Sequence, residues 1–516
     1  MPVKSNDLTA FIPRQTAPVR SAEPPAQPWR PGPDDGPPPP EPLDAPWLKV
    51  VAWAAPMVVV AVLSLIGIGT PGLWEDELQT WGMVTASWPD FRSVLAGTDA
   101  GAAPYYLLLR VWTDLAGTSD AMLRLPSALA MVGATGLVAA LGVRLGGLRV
   151  GLAAGLLFAV LPTTSRYAQE ARPDAFTVLA AALATLLLVR LLDRPRIGRY
   201  LGYLAALVLL GLGHVLGLLL LLAHAVIAWR LRPGGRTVAG WALTAVLAVV
   251  LVGPVVHFAR QQAGGDGDWI PPVSLARVAE APAVLFGDLL IGGALLACAF
   301  LAMSMRGRAA VATAWALLPT AGLLAVSLVV PTWLPRYLLF TLPAWVLLAS
   351  LAVRRTTIAR GVGVVLAIGL LGLPGHLDIR TPTGHGQGTR DIAAVMRAHA
   401  APGDTVVYGP TEGGDQRLAR DAVLRYVPPG IAPQDRLART RPRTGGSVGA
   451  RECAAGEVAD CLGQPDRIWL VRKGNRDDPL AGLGAGKTGV LESGYVVMQT
   501  WRVRAFTIVL YVSKPR

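Results

Sequence analysis

The chain has 516 residues, 53% hydrophobic and only 16% charged, with a mean hydropathy of +0.46, whereas a soluble domain carries roughly 25% charged residues. Apolar stretches of about 20 residues, enough to cross the hydrocarbon core, recur from Trp47 to Leu373, so the composition excludes an ordinary soluble enzyme and indicates a polytopic membrane protein. The net charge of +13 does not indicate nucleic acid, because the basic residues fall between the apolar runs, as membrane topology requires.

Residues 1–46 hold fourteen prolines, including Pro37 to Pro40, and almost no apolar periodicity. Such a segment cannot bury enough surface to fold and is expected to be a disordered tail. No apolar core of a signal peptide precedes residue 50 or so. Eleven spans are expected next, at roughly 47–69, 121–143, 149–165, 173–191, 199–213, 215–230, 237–258, 283–304, 309–330, 336–353 and 358–374. The segment "PYYLLLRVW" at 104–112 is short for a span and reads as an interfacial helix. With the tail on the cytoplasmic side, the inner turns carry Arg144 and Arg149, then Arg190, Arg194, Arg196 and Arg199, then Arg230, Arg232 and Arg236, then Arg306 and Arg308, then Arg354, Arg355 and Arg360. The outer loops, 70–120, 166–174, 259–282 and 331–335, carry the acids. Five arginine-rich turns thus agree on one orientation.

Beyond Pro374 the chain leaves the membrane on the outer face, and 375–516 is expected to be a small extracytoplasmic α/β domain. "TRDIAAVMRAHA" reads as an amphipathic helix, and "TVVYG", "DRIWLVRK" and "AFTIVLYVS" as strands rich in β-branched and aromatic residues. "GLGAGKTG" at 482–489 lacks the spacing of a phosphate loop. Cys298 lies in an apolar run, while Cys453 and Cys461 can pair if their region faces an oxidising compartment.

Three outer segments hold the candidate chemistry. "GLWEDELQTW" places Glu75, Asp76 and Glu77 together at the end of the first span, in a loop that also holds Asp99 and Tyr105. Carboxylates there suit a general base or a divalent metal, although an acidic loop is more often only a solvated helix stop. "RYAQEARPDAF" sets Arg166, Glu170, Arg172 and Asp174 at span ends, where they either meet an anionic phosphate or form a structural ion pair. "PTWLPRYLLFTLP" starts a span with Arg336 and Tyr337 on the outer side, placed for a lipid phosphate or for snorkelling to headgroups. His214 at a hairpin tip and Trp269 in the glycine-rich loop 261–272 are candidates for an acceptor contact or a lid.

Taken in order, these elements resemble the glycosyltransferase-C superfamily, in its branch of protein O-mannosyltransferase-like (family 39-like) and aminoarabinose transferase-like enzymes, which has many actinobacterial members. The resemblance rests on Trp74, Asp76 and Glu77 after the first span, on Asp99 with "PYYLLLRVW", on "LRLPSALA", on "RYAQEARPDAF" and on "PRYLLFTLPA". It covers roughly 47–374. It implies a transferase that moves a sugar, with mannose favoured, from a polyprenyl-phosphate carrier to a hydroxyl on a glycan, glycolipid or protein acceptor, with inversion. Asp76 is then the expected base with Glu77 in support; Glu170, Arg172, Arg336 and Tyr337 address the donor phosphate. This pattern fixes no cofactor, and a divalent metal on Asp76 and Glu170 is left open. One departure bears on metal and acceptor binding: relatives carry a His between the Asp and the Tyr-Tyr pair, where this chain reads "DAGAAPYY" around Ala102. Two alternatives stand beside the transferase. One is an inactive scaffold of the same fold. The other is a sugar or lipid transporter or flippase, which would show broken helices in repeated halves; no such repeat is visible.

Overall fold

The computed structural model describes residues 46–231, 234–262, 270–354, 356–410 and 415–515. The proline-rich tail expected over 1–46 therefore lies outside the described residues, apart from Pro46. The chain is a multi-pass membrane protein, mainly helical, with a small sheet near its C-terminus.

Each expected span overlaps one helix or a bent pair of helices: α1 (Pro46–Leu65) first, then, after α2 (Glu75–Thr85), α3 (Trp88–Gly97) and α4 (Ala103–Ala116), the long α5 (Asp120–Gly146). Next come α6 (Leu148–Ala159), α7 (Pro162–Ala168), α8 (Asp174–Asp193), α9 (Ile197–Gly213), α10 (Leu220–Leu231) and α11 (Gly235–Gln262). The series closes with α12 (Leu275–Phe286), α13 (Leu289–Ala302), α14 (Ala309–Ser327), α15 (Leu342–Val353), preceded by a 3-10 turn over Pro335–Thr341, and α16 (Ile358–Ile379). Among the described residues, six of these runs are long and apolar enough to cross a membrane, or up to eight if each bent pair is one span, against the eleven expected.

Two expected spans are broken. The chain bends by 63° between α6 and α7, where Pro162 can start a helix but cannot continue one. It bends by 91° between α12 and α13, where Gly287 takes a positive φ of 88° and Asp288 caps the next helix, its Oδ1 accepting from Leu290 N at 2.7 Å. The periodicity of an apolar run does not register such a break.

Close backbone approach fixes the bundle. A Cβ on Gly142 would stand 2.8 Å from Gly151 Cα, and one on Gly155 would stand 2.6 Å from Pro56 Cγ. Only glycine lets α5, α6 and α1 meet at these points, the small-residue packing of membrane helices. α8 lies at the centre, with 72% of its apolar window buried. Arg144, Asp193, Leu231 and Arg308 line one small cavity, so four of the arginine-bearing turns meet at one end of the bundle.

Beyond α16 follow α17 (Thr389–His399), β1 (Thr405–Tyr408), α18 (Asp415–Tyr426), α19 (Val458–Leu462), β2 (Arg467–Lys473), α20 (Ala485–Gly494), β3 (Tyr495–Val503) and β4 (Phe506–Ser513). The sheet order is β1-β2-β4-β3; β1 and β2 are parallel and the other pairs antiparallel. β3 escapes the sequence pattern because it is an edge strand with most of its residues exposed. Cys453 and Cys461 form a disulfide.

This sheet region sits on the end of the bundle opposite the arginine-bearing turns. Asp120, the first residue of α5, accepts from Arg390 Nη2 at 2.6 Å, Arg425 Nη2 at 2.7 Å and the Tyr426 hydroxyl at 2.7 Å. Gly72 N donates to Pro382 O at 3.0 Å and Thr389 Oγ1 donates to Leu73 O at 2.9 Å. The acidic segment at the start of α2 is thereby held between bundle and sheet region.

Candidate functional site

The three consecutive acids open α2, where carboxylates are favoured by the unpaired N–H groups and the helix dipole. Successive residues on a helix point about 100° apart, and the three separate accordingly. Glu75 reaches the sheet region, with Oε2 2.6 Å from Lys473 Nζ at the end of β2. Asp76 faces the mouth of the bundle, with Oδ2 3.2 Å from Arg336 Nη1 and 3.6 Å from Arg172 Nη2; its side chain is 27% exposed.

Glu77 turns inward and is fully buried. Its Oε1 accepts from Arg124 Nε at 2.7 Å and from Ala171 N at 2.8 Å, and its Oε2 accepts from Arg124 Nη2 at 2.6 Å. Oε2 also reaches back to Trp74 N at 3.4 Å, closing the helix start. Burial alone would raise this carboxyl, but the Arg124 guanidinium, by charge and by hydrogen bond, more than reverses it and holds Glu77 well below the usual carboxylate range. Arg124 spends its remaining donors on Ile68 O, Pro71 O and Gly72 O at 2.9, 2.9 and 3.1 Å. One bidentate pair therefore fixes the loop after α1, the start of α2 and the turn before α8 on α5.

The loop between α7 and α8 supplies the next layer. Gln169 Nε2 ties it to α1 through Ser64 O and Ile66 O at 2.9 and 2.8 Å. Glu170 is buried, its only charged partner among the described residues being Arg166 at 3.5 Å. Burial pushes its carboxyl up to about 7, and Arg166 only partly offsets this. Arg172 stands at the surface of this layer, between Asp76 and Asp174, whose Oδ2 is 3.8 Å from Arg172 Nε. Burial opposes the charge on Arg172, but the two aspartates outweigh it and push its pKa up.

Arg336 enters from the 3-10 turn before α15, and its guanidinium carbon lies 5.8 Å from the Tyr337 ring centroid. The Tyr337 ring in turn lies 4.4 Å from that of His214. Asp99 holds a left-handed conformation with φ of 60°, and its Oδ2 accepts from Gln79 Nε2 and from the Tyr106 hydroxyl, both at 3.0 Å. Tyr105 is buried with its ring edge-on to Phe176, 6.0 Å away. The structure thus gathers Asp76, Arg172 and Arg336 directly, with Asp174 beside them and Tyr337 and His214 behind Arg336. Glu77 and Glu170 lie in the sealed layer beneath. Trp269 lies outside the described residues.

His385 stands in that sealed layer and was not singled out by the sequence. Its Nδ1 lies 3.3 Å from Arg124 Nη2, 3.3 Å from Arg166 Nη1 and 3.4 Å from Glu77 Oε2. Burial first, then Arg166, lowers its pKa to about 3, so the ring is neutral and Nδ1 is placed to accept from Arg166 Nη1. The one local signal was "TGHGQG", a histidine between glycines. A Cβ on Gly384 would stand 2.3 Å from Asp378 O, and Gly386 has φ of 88°, so the turn that inserts His385 requires glycine on both sides. Arg124 and Lys473 were also absent from the expected site, because their partners come from distant segments.

The donor set does not fit a divalent metal on Asp76 and Glu170. Asp76 already faces two guanidinium groups and Glu170 a third, whose charge would repel a cation. Among the described residues no three His, Cys, Asp or Glu side chains converge as ligands. Ala102, at the position where the resemblance leads one to expect histidine, lies in a 3-10 turn and offers no ligand.

Residues 103–258 match the family model described as dolichyl-phosphate-mannose-protein mannosyltransferase. No curated protein matches the chain by sequence. The solved structure of ArnT from Cupriavidus metallidurans bound to undecaprenyl phosphate is similar with a TM-score of 0.57 at 14% identity, over 89% of this chain and 98% of that one. The apo form of the same protein is similar with a TM-score of 0.57 at 15% identity, over the same shares of the two chains. With this likeness spanning both the bundle and the sheet region, the chain has the fold of the glycosyltransferase-C superfamily.

Proposed function

We propose that the protein is a polyprenyl-phosphate-dependent glycosyltransferase working on the outer face of the membrane, with Asp76 as its base. The observation that carries this reading is the placement of Asp76: a partly exposed carboxylate at the bundle mouth, held by Arg336 and Arg172. One anion acceptor and two cations at one point match the charges that such a transfer develops. Asp76 takes the proton of the acceptor hydroxyl as its oxygen attacks the anomeric carbon. The bond from that carbon to the carrier phosphate breaks, its electron pair leaves on the phosphate oxygen, and Arg172 and Arg336 stabilise that charge. Attack opposite the leaving group inverts the carbon. In the absence of donor the two arginines hold the carboxylate; an arriving phosphate competes for them and frees it.

The orientation follows from the same reading. The arginine-bearing turns face the cytoplasm, and the acidic loops and the sheet region face outward, where the Cys453–Cys461 disulfide is at home. An outer site also explains a lipid-borne donor. We favour mannose as the sugar, because the matched family model carries that description, and the carrier accords with undecaprenyl phosphate bound to the similar ArnT. The sheet region, packed over α2, is positioned to choose among a glycan, a glycolipid and a protein hydroxyl. Glu77, Glu170 and His385 position the site from beneath rather than touching substrate.

The test is transfer from a radiolabelled polyprenyl-phosphate sugar in membranes carrying wild-type protein or Asp76→Asn. Loss of transfer with unchanged protein level supports the assignment, and full activity in the variant rejects Asp76 as base. Outside labelling of a cysteine at position 76, but not at 196, checks the orientation.

A further inference from the structure

The bundle carries a second cleft, far from Asp76. At the end nearest the acidic loop α16 closes on the junction between α6 and α7. There a Cβ on Gly372 would stand 3.1 Å from Pro162 Cγ, and His376 Nε2 lies 2.9 Å from Val160 O. Toward the other end α6 and α16 part. The gap is a cleft of about 390 Å³, walled by Leu152 and Leu156 of α6 and by Val362 and Val365 of α16.

Its polar lining is confined to one end. Arg149 stands there in the first turn of α6, with Arg354 just past the end of α15 and Thr356 and Thr357 just before α16. Arg149 is exposed and Arg354 half-buried. Among the described residues neither forms an ion pair, unlike Arg144, which is held by Asp193. Along α6 the cleft runs from Arg149 to Val160, about 16 Å at 1.5 Å per residue. That is roughly half of the 30 Å hydrocarbon core, the depth of a single leaflet.

We infer that this cleft binds an anionic phospholipid of the leaflet on the arginine-rich face, its phosphate between Arg149 and Arg354 and one acyl chain between α6 and α16. Charge and shape select this occupant together. A helix is about 10 Å wide and does not enter a slot between two helices that touch at one end, whereas an acyl chain does. A phosphate without a chain would leave the apolar walls unfilled. The phosphate-binding fork of arginine and two helix N-termini meet at headgroup depth, where each basic residue also gains from the anionic surface.

The experiment takes the full-length protein purified in mild detergent. Tightly held lipid is quantified by mass spectrometry, and the thermal midpoint is read after adding anionic or zwitterionic phospholipid of the same chains. Wild type should retain anionic phospholipid and be stabilised by it. R149Q/R354Q should lose affinity by about thirtyfold, two basic residues' worth, and Ala153→Phe, which fills the cleft and keeps both arginines, should also abolish retention. The inference is overturned if both variants retain anionic lipid like wild type, if soluble glycerol 3-phosphate stabilises as well as the lipid, or if polyprenyl phosphate is the species retained.

Discussion

Asp76 and Glu77 are neighbours in sequence with the same chemistry, and the fold uses them in opposite ways. Glu77 is sealed, with both oxygens filled by Arg124 and a backbone N–H. Asp76 is partly open, with one oxygen shared by two longer ion pairs. A buried bidentate pair is costly to break, because removing one partner strands the other charge. A half-exposed pair is screened and exchangeable, which is what a group that must receive a proton requires. The difference is one of depth, set by the 100° step along α2.

The sharpest way to break this comparison is to neutralise each acid in turn. Asp76→Asn should cut transfer by about 10² to 10⁴-fold while leaving the thermal midpoint nearly unchanged. Glu77→Ala should do the reverse in origin, losing roughly 3–5 kcal/mol of stability and with it the folded protein. A stable, inactive Glu77→Ala would mean that the sealed acid takes part in chemistry. Arg336→Ala should weaken donor binding by about tenfold or more, one charged hydrogen bond's worth; unchanged donor affinity would remove Arg336 from the phosphate site.

Glu170 sharpens the comparison through pH. Its carboxyl is raised in the folded protein from 4.5 to about 7 by burial, so the folded state keeps a proton that the unfolded state has already lost. Stability from this group is fully present below about 4.5 and is lost as pH rises to about 7. Glu170→Gln should flatten that decline in the thermal midpoint; an unchanged slope would show that Glu170 is ionised throughout. The smallest effect is expected for Lys473→Ala, whose pair with Glu75 is partly exposed and should contribute no more than about 1 kcal/mol, measured by the same unfolding assay.

Much of the bundle was legible because a lipid solvent permits few solutions: apolar runs of sufficient length become helices. The breaks at Pro162 and Gly287 were not, since hydropathy averages over them. Of the site, Asp76, Arg172 and Arg336 were legible as charges at helix ends, where their presence is expensive without a task. Arg124 and His385 were hidden for a simple reason. Arg124 lies 47 residues from Glu77 and His385 lies 308, and no local period records a contact of that range.

The sequence by itself determined the solvent, the helical class and which end of the bundle carries cations and which carries acids, because each follows from transfer free energies that are additive along the chain. The tertiary structure alone decided which of three adjacent acids is sealed, which reaches the sheet region and which is left at the mouth between two arginines. That choice depends on what distant segments bring to each face of α2, and no property of Glu75, Asp76 or Glu77 taken singly contains it.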